Sequence, residues 1–319
     1  MDISWGIGAE LRGYGWAGYK VGDKVARVWS SEPQELSRFS FRLKRFLNRE
    51  RTLNLKKLSE ESMGLFAAEM ERFKPDFVRG YGTGTSVFAN FLLRNDRVEI
   101  RPKAVFTTAA TLFPHYRKSI EQAFGCKVYD YYACSEVSHI AAQCGENEGL
   151  HVSEENVMLE VVDGFEPVAE GEDGQVLLTN LNGFGMPFIR YDVGDLGTVL
   201  DDECACGREL GLIKVVGRQY EYFLNSDGSF TSLKDLQTVF EDVPIQDFQI
   251  VQETSDDIVV KVVPKPEYTA EHTEFISKNV KSRGPARVRV ELVDSIPLGR
   301  SGKVERVAKS VNEHDYFAR

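Results

Sequence analysis

The chain has no long apolar run and few cysteines. No stretch approaches the ~18 consecutive apolar residues that a membrane-spanning helix needs, and residues 1–11 lack the charged and then apolar segments of a signal peptide. Only 5 cysteines occur among 319 residues, without regular spacing. These absences argue against a membrane protein and against a disulfide framework. They predict a cytoplasmic protein with reduced thiols.

The chain is also poor in positive charge. It carries 39 lysines and arginines against 49 aspartates and glutamates, which gives a formal net charge of -10. Nucleic-acid binding depends on clustered cations that neutralise phosphates. This balance therefore argues against a nucleic-acid partner.

Residues 1–33 contain no recognisable phosphate-binding loop. No Gly-, Ser- and Thr-rich segment there offers a run of backbone N–H groups that could converge on a phosphate. Residues 82–85 (Gly-Thr-Gly-Thr) are the one tempting segment. They lead into a helical apolar pattern, and we interpret them as structural.

What is present predicts an α/β protein. With 42% apolar and 28% charged residues, the chain can bury a core and is long enough for two domains. Ser59 is placed to cap an amphipathic helix. Residues 104–108, 116–124 and 127–131 then read as strand, helix and strand. This alternation predicts a largely parallel sheet, whose ligands bind beyond the carboxyl ends of the strands.

The pattern changes after residue 150. Residues 157–162 and 175–179 read as strands joined by Gly- and Glu-rich turns, which predicts a second, mostly antiparallel sheet. A boundary is expected near residue 217. Beyond it, helical and strand patterns alternate over about a hundred residues, which predicts a compact α+β module.

Residues 132–136 (Tyr-Ala-Cys-Ser-Glu) follow a predicted strand end. They resemble the Tyr-Gly-x-Ser/Thr-Glu motif of the adenylate-forming ligases, and the valine that follows fits the phenylacetate-CoA ligase branch. The resemblance implies that Tyr132 stacks on adenine, that Ser135 contacts the phosphate or acyl carboxylate, and that Glu136 helps hold Mg²⁺. Magnesium prefers carboxylate and phosphate oxygens. Ala133 replaces the usual glycine, and on local evidence alone the segment reads as a strand-to-loop turn.

Residues 190–195 (Arg-Tyr-Asp-Val-Gly-Asp) resemble the Arg-Tyr-x-x-Gly-Asp segment of the same family. The resemblance implies that Asp195 accepts hydrogen bonds from both ribose hydroxyls, as one carboxylate can. It also implies that Arg218 reaches the ribose and that a domain hinge follows at Gln219 and Tyr220. Without the resemblance, a hairpin with a Gly-Asp turn and an exposed arginine at a strand end explain these segments.

Residues 297–306 resemble the family's Pro-x-x-x-x-Gly-Lys-x-x-Arg segment. The resemblance implies that Lys303 contacts the carboxylate and the α-phosphate during adenylation, and then swings away when a small domain rotates. Residues 299–302 would supply the flexible loop. A point charge on a flexible stem suits a phosphoryl centre. Taken alone, the segment reads as a solvated turn.

Three further residues are expected in the adenine pocket. Ala109 and Ala110 fall where relatives carry a Gly-Glu pair that lines this pocket, and Tyr131 precedes the first motif. The two alanines depart from the family pattern. They predict a slightly different fit to the nucleotide.

Four residues form a candidate metal site. Cys144 and His151, and Cys204 and Cys206, each lie in segments that resemble the phenylacetate-CoA ligase group. Together they supply three thiolates and an imidazole, a set that tetrahedral Zn²⁺ favours. A structural zinc is one interpretation, and simple turn cysteines are the other.

The motifs together predict the adenylate-forming ligase fold, with a large N-terminal domain of mixed sheets in residues 1–217 and a small mobile α+β domain in residues 218–319. About the first quarter of a typical relative is expected to be absent. The resemblance implies an AMP-forming carboxylate-CoA ligase that uses ATP, Mg²⁺ and coenzyme A on a small carboxylic acid. The resemblance does not identify the acid. A homodimer is a possible oligomeric state.

Two other functions stay open. Without a phosphate loop the chain fits a catalytically silent protein that binds AMP or serves in an assembly. It also fits an adenylyltransferase acting on a hydroxyl, as the related deazaflavin-coenzyme synthetases do, or a capsule-biosynthesis relative that acts on a sugar-linked acid.

Overall fold

A computed structural model of the chain describes residues 4–30, 49–97, 99–146, 149–200, 204–218, 222–224, 230–241, 243–254, 257–284, 287–298 and 303–309. The chain divides into two compact units. The first comprises Met1–Leu112, Tyr116–Val216 and Ser301–Lys303, and the second comprises Phe113–His115, Gly217–Arg300 and Val304–Arg319. The assignment of residues 1–217 to an adenylation domain and of residues 218–319 to a mobile domain stays a prediction.

Among the described residues up to 124, the helices are α1 (Ser4–Trp16), α2 (Glu60–Phe73), α3 (Gly82–Arg94) and α4 (Pro114–Phe124), and a 3-10 turn spans Leu55–Lys57. The strands of the large sheet are β1 (Val25–Trp29), β2 (Glu50–Asn54), β3 (Phe77–Tyr81), β4 (Ala104–Thr108), β5 (Val128–Cys134), β6 (Ser138–Gln143), β7 (Leu150–Val152), β8 (Val157–Asp163), β9 (Glu166–Pro167), β10 (Asp173–Asn180), β11 (Tyr191–Leu200) and β12 (Leu212–Arg218).

The first half of this sheet is parallel. β2, β1, β3, β4 and β5 lie side by side in that order, and each neighbouring pair runs in the same direction. α3 and α4 form the crossovers from β3 to β4 and from β4 to β5. The first four residues of β4 are all buried, as expected for a strand covered on both faces. The α/β fold class predicted from the alternation is confirmed.

The cap predicted at Ser59 is confirmed. Its hydroxyl accepts the backbone N–H of Ser62 at 3.1 Å, and the Ser62 hydroxyl accepts the backbone N–H of Ser59 at 2.8 Å. This reciprocal pair satisfies donors that the first helical turn leaves open. α2 ends at Lys74, which has a left-handed backbone (φ 51°) just before Pro75.

The strands between residues 150 and 218 do not form a second sheet, and that expectation was wrong. β6 pairs antiparallel with β5, β7 pairs with β6, and β12 pairs with β7. β11, β10, β8 and β9 then continue the same 12-stranded sheet. The β5–β6 hairpin reverses the chain direction at the edge of the parallel half. The later strands therefore extend that edge.

α1 lies against β6 at a close distance that glycine permits. A side-chain Cβ on Gly6 would stand 2.6 Å from the Ser138 hydroxyl, and one on Gly13 would stand 2.9 Å from the Ala142 Cβ. Both separations are below van der Waals contact. The two glycines therefore let the helix cover the strand that follows the first motif.

The second unit contains a four-stranded sheet. Its order is β17 (Arg287–Leu292), β16 (Asp257–Pro264), β15 (Ile245–Gln252) and β18 (Val307–Lys309). β15 and β16 are antiparallel, whereas the outer strands pair parallel with them. The unit also has α5 (Leu233–Glu241), α6 (Ala270–Lys281) and a small hairpin of β13 (Tyr222–Leu224) and β14 (Phe230–Ser232).

None of the helices in the described ranges is both long and apolar enough to cross a bilayer. α2, with 14 residues, is the longest of them. A transmembrane helix needs about 20 apolar residues.

Candidate active site and candidate metal centre

The first motif lies on the β5–β6 hairpin. β5 continues through Cys134, so Tyr132 is part of the strand, and Ser135 and Glu136 lie in the turn before β6. Ser138 takes a left-handed backbone (φ 67°) where β6 begins. Ser135 is exposed and Glu136 is half-buried. The turn lies at the carboxyl end of the last parallel strand, where the sequence predicts ligand binding.

The second motif forms a bulge inside β11 and not a hairpin turn. Gln175 pairs with Leu196 and Leu177 pairs with Asp192, so three residues of β11 oppose one residue of β10. The Asp192 carboxylate accepts the Gly194 N–H at 2.7 Å, and Gly194 has φ 71°. Bulges of this kind redirect the side chains that follow. Asp195 is the third residue of this bulge.

A hydrogen bond joins Tyr132 of the first motif to Asp195 of the second. The Tyr132 hydroxyl donates to Asp195 Oδ2 at 2.6 Å, across 63 residues of sequence. Asp195 is only 8% exposed, and Tyr132 is half-buried. A hydrogen bond to a carboxylate is about twice as strong as a neutral one. A carboxylate has acceptor sites for more than one donor, so this bond is compatible with further donors at Asp195.

A second contact joins the same segments. The Tyr191 hydroxyl donates to Glu136 Oε1 at 3.3 Å. The negative charge of Glu136 raises the pKa of Tyr191, with a further contribution from burial. The motif resemblance assigns no role to Tyr191. In the sequence, only its position four residues before Asp195 indicated that Tyr191 could lie at the site. Tyr132, Glu136, Tyr191 and Asp195 thus form two tyrosine-carboxylate pairs, which we call the paired-motif site.

The cysteine inside the first motif has a raised pKa. Burial raises the pKa of the Cys134 thiol to about 11, although hydrogen bonds from the Val137 and Glu136 backbone act to lower it. A thiol with such a pKa is protonated near neutral pH. The site therefore offers carboxylates and hydroxyls.

The three further residues predicted for the adenine pocket do not lie together in the structure. Ala109 and Ala110 follow β4, whose Thr108 pairs with Tyr131, so both alanines lie at the sheet edge that carries Tyr132. Ala109 has φ 66°, a conformation that favours glycine. Tyr131 itself is 4% exposed, and its ring packs 4.7 Å from that of Tyr14 in α1. Strand alternation thus places Tyr131 on the opposite sheet face from Tyr132, away from the paired-motif site.

Arg218 ends β12 and is exposed, and Lys303 is also exposed. Gln219 and Tyr220, where a hinge is predicted, and residues 299–302, where a flexible loop is predicted, lie outside the described residues. Arg190, the first residue of the second motif, binds the Glu160 carboxylate through Nε at 3.2 Å.

The candidate metal ligands come together. Cys144 follows β6, His151 lies on β7, and Cys204 and Cys206 lie in the turn before β12. Their four donor atoms all lie within 4.8 Å of one another. The sulfurs of Cys144 and Cys204 are 3.5 Å apart, and Cys206 Sγ is 3.3 Å from His151 Nε2. The pairing of β7 with both β6 and β12 produces this cluster.

The cluster fits a tetrahedral metal. With metal-sulfur bonds of about 2.3 Å, sulfurs on a tetrahedron lie about 3.8 Å apart. Burial lowers the pKa of His151, which favours the neutral imidazole that metals bind. Burial also acts to raise the pKa of Cys206, but hydrogen bonds from Arg208 and from the neighbouring thiols lower it to about 7. Cys126, by contrast, lies apart from this cluster with a pKa raised by burial to about 12.

Comparison with known sequences finds similarity to CapK proteins and to phenylacetate-coenzyme A ligases. Residues 223–310 match the CapK C-terminal domain family. Over 209 residues the chain is 25% identical to Protein CapK of Staphylococcus aureus, which covers 64% of this chain and 45% of that protein. Over 97 residues it is 35% identical to the phenylacetate-coenzyme A ligase of Thermus thermophilus, which covers 29% of this chain and 22% of the ligase. The chain thus matches less than half the length of either relative.

Comparison with solved structures gives CoA ligases. The structure of 2-hydroxyisobutyryl-CoA ligase in the postadenylation state, in complex with R3-HIB-AMP, matches with a TM-score of 0.76 and 20% identity, over 99% of this chain and 72% of that chain. The anthranilate CoA ligase AuaEII in complex with anthranoyl-AMP matches with a TM-score of 0.62 and 17% identity, over 95% and 62%. At these identities the likeness shows the fold. The adenylate-forming ligase fold predicted from the motifs is confirmed.

Proposed function

We propose that this chain, which belongs to the adenylate-forming superfamily and is phenylacetate-CoA ligase-like, binds an adenine nucleotide at the paired-motif site and activates a carboxylic acid with ATP. The observation that carries the proposal is the hydrogen bond between Tyr132 and Asp195. It joins the two segments to which the family resemblance gives adenine and ribose, at the strand edge where ligands of parallel sheets bind.

The proposed reaction has two steps. A carboxylate oxygen attacks the α-phosphorus of ATP, and pyrophosphate leaves. The coenzyme A thiolate then attacks the acyl carbon, and AMP leaves with the electron pair of the broken bond. Asp195 and Arg218 would hold the ribose and Tyr132 the adenine. Lys303 would stabilise the charge that develops at the phosphate.

Glu136 is the proposed magnesium ligand. Mg²⁺ binds proteins through one or two carboxylates and takes its other ligands from phosphates and water. A half-buried carboxylate in the hairpin turn fits this requirement. When bound, the ion would neutralise phosphate charge. The donor from Tyr191 orients the carboxylate.

Binding of AMP tests the nucleotide site independently of turnover. We expect calorimetric titration with AMP to give a saturable isotherm for the wild type, and an affinity reduced about 10-fold or more for Asp195→Asn, since a hydrogen bond to a charged group contributes about 1.5–3 kcal/mol. Asp163→Asn is the matched control, because Asp163 is an exposed carboxylate at the end of β8. An equal loss in both variants, or no AMP binding by the wild type, contradicts the proposal.

A silent nucleotide-binding protein is the competing function. It predicts AMP binding without any exchange of pyrophosphate into ATP. The two functions therefore separate in an exchange assay with phenylacetate, anthranilate and 2-hydroxyisobutyrate, in which exchange with any acid supports a ligase.

We also propose that Cys144, His151, Cys204 and Cys206 hold a structural Zn²⁺. Their mutual distances and the three-sulfur, one-nitrogen set support a closed tetrahedral site. The purified chain should contain about one zinc by elemental analysis. Cys206→Ser should lose it, and Cys126→Ser is the matched control from outside the cluster. A wild type without zinc, or a Cys206→Ser variant that keeps it, contradicts this assignment.

A further inference from the structure

Arg306 ends the Gly-Lys-x-x-Arg motif, but its environment differs from that of Lys303. Lys303 is exposed, whereas Arg306 is only 5% exposed and lies in the second unit. Arg306 Nη1 donates both to the carboxylate of Asp247 and to the backbone carbonyl of Phe248. A guanidinium this deeply buried requires such partners, because an unpaired buried charge is strongly unfavourable. Arg306 is therefore a part of the fold.

An aromatic stack holds the same guanidinium from another side. Its central carbon lies 5.0 Å from the centre of the Phe248 ring. That ring is itself stacked on Phe240 of α5, with centroids 3.9 Å apart and planes 10° from parallel. A cation over an aromatic face is attracted by the ring quadrupole. Asp247 and Phe248 thus bind the Arg306 side chain, and Phe240 packs behind Phe248. We call Asp247 and Phe248, with Phe240 behind them, the arginine socket.

The backbone around Arg306 is attached to the strand that forms the socket. The Arg306 carbonyl accepts the N–H of Ile250 at 2.8 Å, and the Gln249 side chain donates to the Glu305 carbonyl at 2.8 Å. Val304 packs into an apolar cluster with Val263 and Ile296. The attachment of the chain to the four-stranded sheet therefore begins directly after Lys303.

The described part of the strand that follows pairs with β15 over a short length. β18 has three residues, and Val307 pairs with Ile250 at its start. Sliding this strand by one residue would move Lys303 by about 3.3 Å along the strand direction. It would also withdraw Arg306 from the socket. Replacing a buried ion pair by an apolar pair is often neutral for stability, and in some proteins a buried polar group instead fixes the register of neighbouring segments.

We propose that Arg306 is a positioning residue for Lys303, which acts by fixing the register of β18 on β15 through the arginine socket. Three extended residues span at most about 11 Å. With Arg306 held in the socket, the Cα atom of Lys303 therefore lies within about 11 Å of the Cα atom of Arg306. A displacement of about 1 Å in a reacting group can cost 100-fold in rate. The inference rests on the proposed role of Lys303 in adenylation.

Hydrogen exchange tests the anchor without reference to activity. Two variants are compared with the wild type: the single variant Arg306→Met, and a double variant that carries both Asp247→Leu and Arg306→Met. In both, we expect amide exchange in residues 304–309 to become at least about 10-fold faster. Amide exchange in α6 should not change. Arg287→Met is the matched control, because Arg287 binds Asp257 in an exposed ion pair of the same sheet. Unchanged protection of residues 304–309 in both socket variants overturns the proposal.

Kinetics tests the link to Lys303. With whichever acid supports pyrophosphate exchange, the apolar pair should keep the urea midpoint of the wild type while kcat falls about 10-fold or more and the KM for ATP stays within about twofold. Removal of the socket should add little to the loss caused by Lys303→Ala. A socket variant with wild-type kcat, or one that is equally harmful with and without Lys303, overturns the proposal. A wild type without any exchange contradicts the proposed function instead, and the hydrogen-exchange result still decides the anchor.

Discussion

Acidification should destabilise the first unit through His139. This residue is the second of β6, directly after Ser138, and it is 3% exposed. Its ring packs 5.8 Å from that of Tyr131. Within the described residues, Nε2 has no hydrogen-bond partner. Burial lowers the pKa of His139 from 6.5 to about 3, and the charges of Arg12 and Arg79 act in the same direction.

The sign and size of the effect follow from that pKa. As the pH falls below 6.5, His139 becomes protonated in the unfolded chain. In the folded chain it stays neutral until the pH approaches its lowered pKa of about 3. Stability is therefore fully present above the unfolded pKa and is lost as the pH falls toward the folded one. At pH 5 the loss amounts to about 2 kcal/mol for a shift of this size.

Tryptophan fluorescence provides the assay. All three tryptophans (Trp5, Trp16 and Trp29) belong to the first unit, so their emission during urea unfolding reports on the unit that contains His139. We compare the wild type with His139→Gln, which cannot take up a proton, at pH 8 and at pH 5. The difference between the two proteins at pH 8 measures the packing cost of the substitution.

Between pH 8 and pH 5 the wild type should lose about 2 kcal/mol more than His139→Gln. The carboxylates titrate in both proteins, and their contribution cancels in this difference. Parallel losses in the two proteins would refute the reasoning, because they would show that the folded chain protonates His139 normally.

Further predictions concern the two candidate sites. Tyr132→Phe removes the hydroxyl that donates to Asp195, and it should weaken AMP binding by about 3- to 10-fold in calorimetry, less than the effect of Asp195→Asn; an equal or larger effect would contradict the assigned order. Glu136→Gln should raise the Mg²⁺ concentration for half-maximal pyrophosphate exchange while AMP affinity without Mg²⁺ stays within about twofold, whereas an unchanged Mg²⁺ requirement would remove Glu136 as the ligand. A strong chelator should lower the urea midpoint of the wild type but not that of a metal-free Cys206→Ser variant. An equal effect on both would refute a structural zinc.

Local signals in the sequence predicted α2, α4 and the parallel strands β4 and β5, whereas α1 and β2 were not expected. Ser59 caps α2 through hydrogen bonds within one turn, and such bonds depend only on neighbouring residues. β3, β4 and β5 alternate with helices, and that alternation implies parallel crossovers. Family motifs supplied Tyr132 and Asp195, although the bulge that presents Asp195 was not expected.

Features that depend on distant pairing were missed. The strands after residue 150 have the alternation of an antiparallel sheet, but the pairing of Leu150 with Ile213 joins them to the first sheet. No local pattern encodes that pairing. The socket of Arg306 is formed by Asp247, 59 residues earlier. Tyr131 lies on the opposite sheet face from Tyr132, because adjacent residues of a strand face opposite sides of the sheet, and its place in the adenine pocket stays a prediction.

The most direct test of the central claim is the exchange of labelled pyrophosphate into ATP by the wild type, with phenylacetate, anthranilate and 2-hydroxyisobutyrate as acids. The account predicts exchange that depends on both the acid and Mg²⁺, and that falls at least about 100-fold in Lys303→Ala while Lys281→Ala, a substitution at the end of α6, leaves it unchanged. Clear AMP binding without exchange for any acid would contradict the ligase function.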